Sequence, residues 1–256
     1  MSPLAYTGER MIPGAVDTAT FWEHVERYRF AVPFAEGKNV ADIACGEGYG
    51  TAALARSGAL SVVGIDVAST TVAHAQLKYG VDARIGSAEA VPLADCSLDL
   101  IVSFETIEHL QHPERFLEEC GRLLRANGQL IISTPNPNVY QKGCQENPFH
   151  CSEMEPGEFK ARLRSIFRNV QWFGQRCRFP RWTRLRAGTR LYTLGRRIFN
   201  PLHHLDVAHI SNDVTVALCQ SRPTFLGRHF TPESVRSIPA TAPLEGWKYL
   251  IAVASN

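Results

Sequence analysis

Three side chains that could take part in catalysis lie within five residues of one another in the segment SFETIEHL, residues 103–110. They are Glu105, Glu108 and His109. If this segment opens a helical turn, positions i, i+3 and i+4 share one face, so two carboxylates and an imidazole converge. Like charges that close repel each other, and a divalent cation ligated by both carboxylates would relieve the repulsion. A fourth candidate ligand, His150, follows in the segment NPFHCSEM. The pattern predicts a metal site.

A second interpretation of the same residues needs no metal. Glu105 and Glu108 would favour the positive end of a helix dipole, and His109 would cap the helix or pack against it. His109 or His150 would then act as an unaided general base. Both interpretations make these two histidines the catalytic candidates.

A glycine-rich turn supplies a second candidate site. The segment VADIACGEGYG places Gly46, Gly48 and Gly50 directly after an apolar run, and backbone without Cβ atoms lets a ligand approach closely. Asp66 ends the next apolar run, twenty positions after Gly46, where a carboxylate can accept both hydroxyls of a ribose. The turn and the acidic residue together predict a site for a nucleoside-containing cofactor.

The residues around this turn discriminate between two cofactor classes. Dinucleotide sites use the pattern G-x-G-x-x-G, whereas this chain has Thr51 at the position of the third glycine. Asp42 precedes the turn and Glu47 lies within it. Negative charge there repels a pyrophosphate and suits a cationic sulfonium that carries an amino group. A nicotinamide-dependent oxidoreductase is therefore disfavoured.

The elements that must position these residues form a regular alternation. From residue 39 to residue 134, short apolar runs alternate with amphipathic stretches, the last of which is PERFLEECGRLLRANG. This alternation predicts an α/β fold, a doubly wound Rossmann-like sheet of seven strands, mostly parallel, with an antiparallel C-terminal strand. A helix near 156–167 and a strand near 169–175 follow. The last strand is either VTVALC (214–219) or KYLIAVA (248–254), and we favour the second.

Composition limits the class of protein further. The chain has 256 residues and a formal net charge of +2, so its overall charge gives no argument for nucleic-acid binding. Its seven cysteines include no C-x-x-C pair, which argues against a disulfide framework and a zinc knuckle. The start of the chain lacks an apolar signal core, and no apolar run approaches the roughly 18 residues that span a bilayer. We expect a cytoplasmic protein.

The residues from 39 to 136 resemble class I S-adenosylmethionine-dependent methyltransferases of the type 11 and type 12 groups. The resemblance rests on VADIACGEGYG and on GSAEAVPLADCSLDLIVSFETIEHL, which follow one another in the family's order. It implies S-adenosylmethionine as the methyl donor. The cofactor-binding residues that it implies are Asp42, Gly46, Gly48, Asp66, Ser87, Ala88 and Phe104. Two positions depart from the usual pattern: Ala44 replaces a common glycine, and Ser87 replaces an aspartate that often contacts the adenine.

The ExxEH segment resembles two methyltransferase groups, the ubiquinone-pathway O-methyltransferases and the small-RNA 2′-O-methyltransferases. The second group combines ExxEH with a later histidine and with STPN, residues 133–136 here. The resemblance implies Glu105, Glu108, His109 and His150 as ligands of Mg²⁺ or another divalent cation. That cation would chelate two neighbouring acceptor hydroxyls and lower the pKa of one of them.

The N-terminal segments TGERMIP and FWEHVERYRFA resemble the leader of methyltransferases associated with polysaccharide biosynthesis. We expect residues 1–38 to form a helical lid over the cofactor. Helical spacing would place Phe21, His24, Arg27 and Tyr28 within reach of one face, with Arg27 a candidate partner for a carboxylate. Residues 39–256 would form the methyltransferase domain, with a basic insertion at about 176–212.

The stretch from residue 160 to residue 205 contains no acidic residue and is rich in arginine and aromatic residues. Such a segment suits an anionic partner: a lipid headgroup surface, an acidic glycan or RNA. A peripheral contact with the inner membrane face is one expectation. A solvated helical insertion is the alternative.

The sequence thus predicts an O-methyltransferase that acts on a sugar hydroxyl of a glycan or glycolipid precursor. The alternatives are a phenol- or quinone-type small-molecule O-methyltransferase, an RNA 2′-O-methyltransferase and a catalytically silent cofactor-binding scaffold. No RNA-binding module is recognisable in the sequence, which disfavours the RNA acceptor.

Overall fold

The structure is a computed structural model that describes residues 11–12, 18–140, 149–176, 224–225, 228–229, 235–239, 242–244 and 247–256. The helices are α1 Thr18–Ala31, α2 Tyr49–Ala55, α3 Ser69–Tyr79, α4 Pro113–Leu123, α5 Pro137–Tyr140 and α6 Pro156–Ile166. Short 3-10 helices cover Val32–Phe34 and Ile107–His109. The strands are β1 Asn39–Ile43, β2 Ser61–Asp66, β3 Asp82–Ile85, β4 Leu98–Phe104, β5 Leu124–Pro135, β6 Asn169–Gln175, β7 Thr224–Phe225, β8 Arg228–His229, β9 Arg236–Ile238 and β10 Tyr249–Ser255.

Eight of these strands form one sheet in the order β3-β2-β1-β4-β5-β10-β6-β9, and β7 pairs with β8 separately. The strands β1 to β5 are parallel, whereas β10 runs antiparallel between β5 and β6. The predicted α/β class and the antiparallel C-terminal strand are confirmed. KYLIAVA forms β10, and its competitor VTVALC lies outside the described residues.

The predicted number of strands was wrong, because the described sheet has eight strands rather than seven. The additional strand, β9, is a three-residue edge strand that pairs antiparallel with β6 through Trp172 and Ile238. Strands this short carry neither an apolar run nor an alternation that a sequence pattern can detect.

The helix that begins at Pro113 is shorter than the amphipathic stretch PERFLEECGRLLRANG predicts. Pro113 begins α4 as expected, but the helix ends at Leu123 and β5 starts at the next residue. Leu124 is buried and pairs with Leu98 across the sheet, so Gly128 lies within the strand. Pairing with a neighbouring strand has overridden the local helical preference.

Helices cover both faces of the sheet. On one face α4 and α6 bury Phe116, Leu117 and Phe159 against the strands. On the other face α1 and α2 pack, and Gly50 of α2 lies directly under the Tyr28 ring of α1. A Cβ atom on Gly50 would come within 2.0 Å of that ring, so glycine is required for the two helices to pack this closely.

The predicted N-terminal lid and basic insertion are only partly within the described residues. Helix α1 falls inside residues 1–38, while residues 1–10 and 13–17 lie outside the described part. The insertion at about 176–212 also lies outside it, apart from Arg176. Among the described residues, no helix is long and apolar enough to cross a bilayer.

Candidate active site

The two glycines of the turn between β1 and α2 are required for different reasons. Gly46 and Gly48 both have positive φ angles, 55° and 94°. A Cβ atom on Gly46 would meet nothing within 4 Å, whereas one on Gly48 would lie 2.6 Å from the Cβ of Ala75 in α3. Gly46 therefore keeps space open above the turn, and Gly48 allows α3 to approach it.

Asp66 lies at the carboxyl end of β2 and fixes the turn from the neighbouring strand. Its carboxylate accepts hydrogen bonds from the backbone N–H of Gly46 at 3.0 Å and of Ala68 at 2.9 Å. The residue is 7% exposed. Each carboxylate oxygen has further lone pairs, so ribose binding by Asp66 is chemically compatible with these bonds and stays a prediction.

Asp42 is fully buried beneath the turn. Its carboxylate accepts hydrogen bonds from the hydroxyls of Tyr28, at 3.0 Å, and Thr51, at 2.7 Å. Burial raises the pKa of Asp42 to about 6, and these two hydrogen bonds oppose the rise. Asp42 therefore joins α1, β1 and α2 at one point.

The carboxylate of Glu47 does not supply the uncompensated negative charge that the sequence suggested. It is buried against α3, where His74 Nε2 lies 3.0 Å away and the Lys78 ammonium also donates to it. The positive charge of Lys78 offsets the negative charge of the Glu47 carboxylate. Asp42 and Asp66 are the acidic groups near the turn that have no cationic partner among the described residues.

The remaining predicted cofactor residues lie around the same edge of the sheet. Phe104 is buried, with its ring edge-on to Tyr28 at a centroid distance of 5.1 Å. Ser87 is exposed, and its hydroxyl accepts a hydrogen bond from the Glu89 backbone. Ala88 packs partly buried against the core.

The sequence did not identify an apolar surface beside Asp66. Val67 follows Asp66 and is 73% exposed, and Ile85, which pairs with Asp66 between β2 and β3, is 58% exposed. Exposed apolar side chains beside a turn of this kind can stack against a flat ring such as a purine. Their adjacency to the acidic strand end is the signal that could have identified them.

The ExxEH segment does not form the α-helical turn that its spacing suggested. Glu105 has a left-handed backbone conformation, with φ at 53°, and only Ile107–His109 form a 3-10 helix. Glu108 is buried, and one of its oxygens accepts a hydrogen bond from the Thr134 hydroxyl at 3.3 Å. The other oxygen, Oε1, has no partner among the described residues. Burial and then the charge of Glu105 raise the pKa of Glu108 well above its usual value.

Three of the four predicted ligands come together. One potential ligand atom each from Glu108, His109 and His150 lies within 4.8 Å of the others. The Nδ1 atom of His109 is 2.9 Å from the Phe149 carbonyl, and that of His150 is 2.6 Å from Glu153. A histidine that donates from Nδ1 carries its lone pair on Nε2, which is how carbonyls and carboxylates orient ligating imidazoles.

Glu105, the fourth predicted ligand, does not join this group. Its carboxylate accepts a hydrogen bond from the Ser133 hydroxyl at 2.6 Å, and its backbone N–H donates to the same side chain. Because φ at residue 105 is positive, the chain turns between Glu105 and Glu108, and the two carboxylates do not share a helix face.

Helix α1 places a buried cation at the edge of the site. Arg27 donates from Nη1 to the Gln175 side chain at 2.8 Å and lies over the Tyr249 ring at 4.4 Å. Its Nε and Nη2 atoms have no partner among the described residues. Although burial opposes it, the charge of Glu105 raises the pKa of Arg27. A buried guanidinium with unused donors is suited to binding a carboxylate or phosphate.

The STPN segment has a structural role in its last residue. Asn136 is buried, donates from its side chain to the Trp247 carbonyl at 2.9 Å, and donates from its backbone to Lys248. It thereby holds the entry to β10 against the end of β5. Ser133 and Thr134, by contrast, contact the two carboxylates of ExxEH.

Comparisons with known proteins agree with this geometry. Residues 41–132 match a family model described as a methyltransferase domain. Over 161 residues the chain is 40% identical to a probable S-adenosylmethionine-dependent methyltransferase of Mycolicibacterium smegmatis, a match that covers 61% of this chain and 62% of the relative. The chain thus spans about three fifths of that relative's length. It is also 29% identical to a ubiquinone biosynthesis O-methyltransferase of Chelativorans, over 77% of this chain and 76% of the relative.

A solved structure shows the same fold. A SAM-dependent methyltransferase from Thermotoga maritima aligns with a TM-score of 0.58 at 18% identity, covering 92% of this chain and 93% of that one. The matched segment includes the glycine turn, Asp66 and the whole ExxEH segment. With this fold, this turn and this matched segment, residues 41–132 carry a methyltransferase domain, and the chain is similar to S-adenosylmethionine-dependent methyltransferases.

Proposed function

We propose that the protein transfers a methyl group from S-adenosylmethionine to a hydroxyl oxygen, on a sugar of a glycan or glycolipid precursor, with the help of a divalent cation. The observation that carries the proposal is the convergence of Glu108, His109 and His150 after β4. Strand β4 lies directly beside β1, which leads into the glycine turn, so both groups lie at the same edge of the sheet. In open α/β sheets this crevice is where ligands bind.

The cofactor side of the site fits S-adenosylmethionine. Gly46 leaves open space above the turn, and Asp66 presents a carboxylate at the end of β2. Asp42 lies beneath, as a negative charge favourable to a sulfonium and an ammonium group. We propose that Nε and Nη2 of Arg27 bind a carboxylate group of the ligand at this edge. Burying two guanidinium donors without a partner is costly, and such a ligand group would satisfy them.

The acceptor side fits a divalent cation. Glu108 Oε1 is a buried carboxylate oxygen without a partner in the described structure, and one oxygen of Glu108 lies within 4.8 Å of a nitrogen of each histidine. A cation bound there would lower the pKa of an acceptor hydroxyl and fix its position. Glu108, His109 and His150 would hold it.

The transfer itself is a direct displacement. A lone pair of the acceptor oxygen attacks the methyl carbon, the carbon–sulfur bond breaks, and its electron pair stays on sulfur. The hydroxyl proton must leave the acceptor, either to solvent water or to a base of the protein. If no cation is held, Nε2 of His109 or His150 is the atom that accepts it, since the Nδ1 atoms face Phe149 and Glu153. Holding both partners in line supplies much of the rate enhancement.

A second candidate acceptor is a phenol or quinone-type small molecule. The similarity to a ubiquinone biosynthesis O-methyltransferase extends over three quarters of both chains and includes the ExxEH segment. That relative supports an oxygen acceptor without deciding between a sugar and a phenol. The sugar is favoured by the resemblance of the N-terminal segments to methyltransferases of polysaccharide biosynthesis.

Labelled S-adenosylmethionine with glycan, glycolipid, phenolic and RNA fractions, each tested separately, would identify the acceptor. The proposal expects label in the glycan or glycolipid fraction, lost on treatment with a chelator and restored by added divalent ion. Label in the phenolic or RNA fraction would show that the acceptor is a phenol or an RNA rather than a sugar of a glycan. Full turnover after chelation would exclude the cation. Binding of S-adenosylhomocysteine without transfer to any fraction would support a silent scaffold.

We also propose that the basic segment 160–205 contacts an anionic surface. In its described part, Arg162 is paired with Glu158 and Glu114, while Arg164 and Arg168 are exposed. Sedimentation with vesicles of anionic lipid tests this. We expect binding that falls with rising salt and is absent with neutral lipid. Equal binding to both vesicles, or to neither, would contradict it.

A further inference from the structure

The two carboxylates of ExxEH have different partners, although the sequence places them three residues apart. Phe104 pairs with Ser133 between β4 and β5, which brings the start of the segment beside the end of β5. Ser133 donates to Glu105 Oε1 at 2.6 Å and accepts from its backbone N–H at 3.2 Å. Glu105 is therefore held at two points by one side chain.

The next residue of β5 contacts the other carboxylate. Successive side chains of a strand point to opposite faces, so Ser133 and Thr134 diverge. Thr134 donates to Glu108 Oε2 at 3.3 Å, Oε1 has no partner among the described residues, and one carboxylate oxygen of Glu108 lies within 4.8 Å of the histidine nitrogens. The end of β5 thus separates the two carboxylates. Glu108 is left with the histidines, and Glu105 is held apart from them.

The composition of the remaining set has chemical consequences. One carboxylate and two imidazoles form a two-histidine, one-carboxylate group, which suits Mn²⁺, Fe²⁺, Co²⁺ or Zn²⁺. Mg²⁺ prefers oxygen ligands and a near-ideal octahedral arrangement, and it is usually held by carboxylates. A set with two carboxylates would favour Mg²⁺ more than the set observed here.

We propose that Ser133 keeps Glu105 outside the ligand set, and that Glu108, His109 and His150 form a three-ligand centre that binds a first-row transition ion in preference to Mg²⁺. This inference rests on the cation part of the proposed function. It makes Ser133 and Thr134 positioning residues, and it separates the roles of two glutamates that the motif alone treats as equivalent.

Direct metal binding tests the inference without reference to turnover. Co²⁺ and Mg²⁺ are titrated separately into chelator-treated protein by calorimetry, and Co²⁺ binding is followed by its visible absorption. We expect Co²⁺ to bind at least about 100-fold more tightly than Mg²⁺, in keeping with its preference for imidazole. The absorption spectrum should be that of Co²⁺ bound to nitrogen and oxygen ligands.

Two matched substitutions then test which of the two glutamates is a metal ligand. Glu108→Gln should weaken Co²⁺ binding by more than about 100-fold, beyond the usual effect of outer-shell groups. Glu105→Gln should weaken it by less than about 10-fold and leave the absorption spectrum unchanged. His150→Gln serves as a second ligand variant, and Glu114→Gln, an exposed glutamate of α4, is the matched control. Binding of S-adenosylhomocysteine checks that each variant is folded.

The outcomes separate the two proposals. Equal losses in Glu105→Gln and Glu108→Gln, or comparable affinities for Mg²⁺ and Co²⁺, would overturn this inference while leaving cation-assisted transfer intact. If neither ion binds, the cation part of the proposed function fails as well. Methyl transfer by the ion-free protein would then remain, with a histidine as the base.

Discussion

The cofactor side and the acceptor side of the site differ in the hydrogen bonding of their buried carboxylates. On the cofactor side, both oxygens of Asp42 and of Asp66 accept hydrogen bonds from the protein, whereas Glu47 is paired through Oε1 and its Oε2 has no partner among the described residues. On the acceptor side, Glu108 has one long hydrogen bond, to Oε2, and its Oε1 has no partner among the described residues.

The difference indicates where a ligand supplies stabilising interactions. A buried polar group without a partner costs about 1 to 3 kcal/mol, and more if it is charged. Asp42 and Asp66 are hydrogen-bonded through both oxygens, so their geometry is preorganised. The acceptor side carries a buried carboxylate oxygen, Glu108 Oε1, whose cost a bound cation would relieve. Substitutions should therefore affect the two sides in different ways.

Glu108→Gln should have the largest effect. Replacing the buried carboxylate by an amide removes the charged ligand, so we expect kcat to fall by about 1000-fold, several kcal/mol of transition-state stabilisation. The affinity for S-adenosylhomocysteine should stay within about 3-fold, because the cofactor side is built independently. Turnover with a saturating acceptor and calorimetry measure the two quantities. Glu114→Gln, with an exposed side chain, should change neither. Parallel losses of turnover and cofactor affinity would contradict the separation of the two sides.

Identical substitutions at the two turn glycines should separate packing from ligand access. Gly48→Ala places a Cβ atom 2.6 Å from Ala75 and strains a backbone with φ at 94°, so the free energy of unfolding should fall by about 3 kcal/mol. Gly46→Ala meets no atom within 4 Å and should cost about 1 kcal/mol of stability through its positive φ. Its main effect should be weaker binding of S-adenosylhomocysteine. Thermal unfolding and calorimetry on both variants test this. Unchanged binding of S-adenosylhomocysteine by Gly46→Ala would show that the space above Gly46 is not a ligand site.

The substitution Asp42→Asn should show how much the buried, ionised carboxylate destabilises the fold. The quantity that shows this is the pH dependence of the free energy of unfolding. The pKa of Asp42 is about 6 in the folded protein, above the unfolded value near 3.8. The folded state thus holds the proton more tightly, and the stability that Asp42 contributes is full below about pH 4 and lost as the pH rises through about 6. The variant lacks this loss, so its stability relative to the natural protein should rise by on the order of 2 kcal/mol between pH 4 and pH 7.

Denaturant unfolding at several pH values measures that difference. Asp99→Asn is the matched control. Although burial opposes it, hydrogen bonds from Asn39 and Arg125 lower the pKa of Asp99. Its pH effect should have the opposite sign and lie below about pH 4. A stability difference for Asp42→Asn that is flat from pH 4 to pH 7 would refute the raised pKa.

Most of the fold was predictable because the signals were local and repeated. Apolar runs separated by amphipathic helices predict a parallel sheet, and Pro113 and Gly80 mark a helix start and a helix end. The edge strand β9 and the early end of α4 were not predictable in this way. Both depend on pairing with strands distant in sequence, which overrides short-range preference.

The sequence predicted which residues of the candidate site lie close together, but it did not predict that Glu105 is held apart from them. The spacing of ExxEH and the later His150 identified three groups that do converge. The spacing assumed a helix, however, and the positive φ of Glu105 removes that residue from the shared face. Likewise the pairing of Glu47 with His74 and Lys78 joins a turn to a helix some thirty residues later. Long-range hydrogen bonds of this kind leave no periodic trace in a sequence.

The smallest predicted effect tests whether the cofactor side is preorganised by the contact between α1 and Asp42. Tyr28→Phe keeps the ring packed on Phe104 and removes only the hydroxyl that donates to Asp42 at 3.0 Å. The single change should cost about 1 kcal/mol of stability at pH 7.5. Combined with Asp42→Asn, the two effects should fail to add by about 1 kcal/mol, since each variant removes the same bond. Denaturant unfolding of the four proteins gives this coupling energy. Additive effects would mean that the Tyr28 hydroxyl stabilises the fold independently of Asp42, and that this hydrogen bond does not couple helix α1 to the glycine turn.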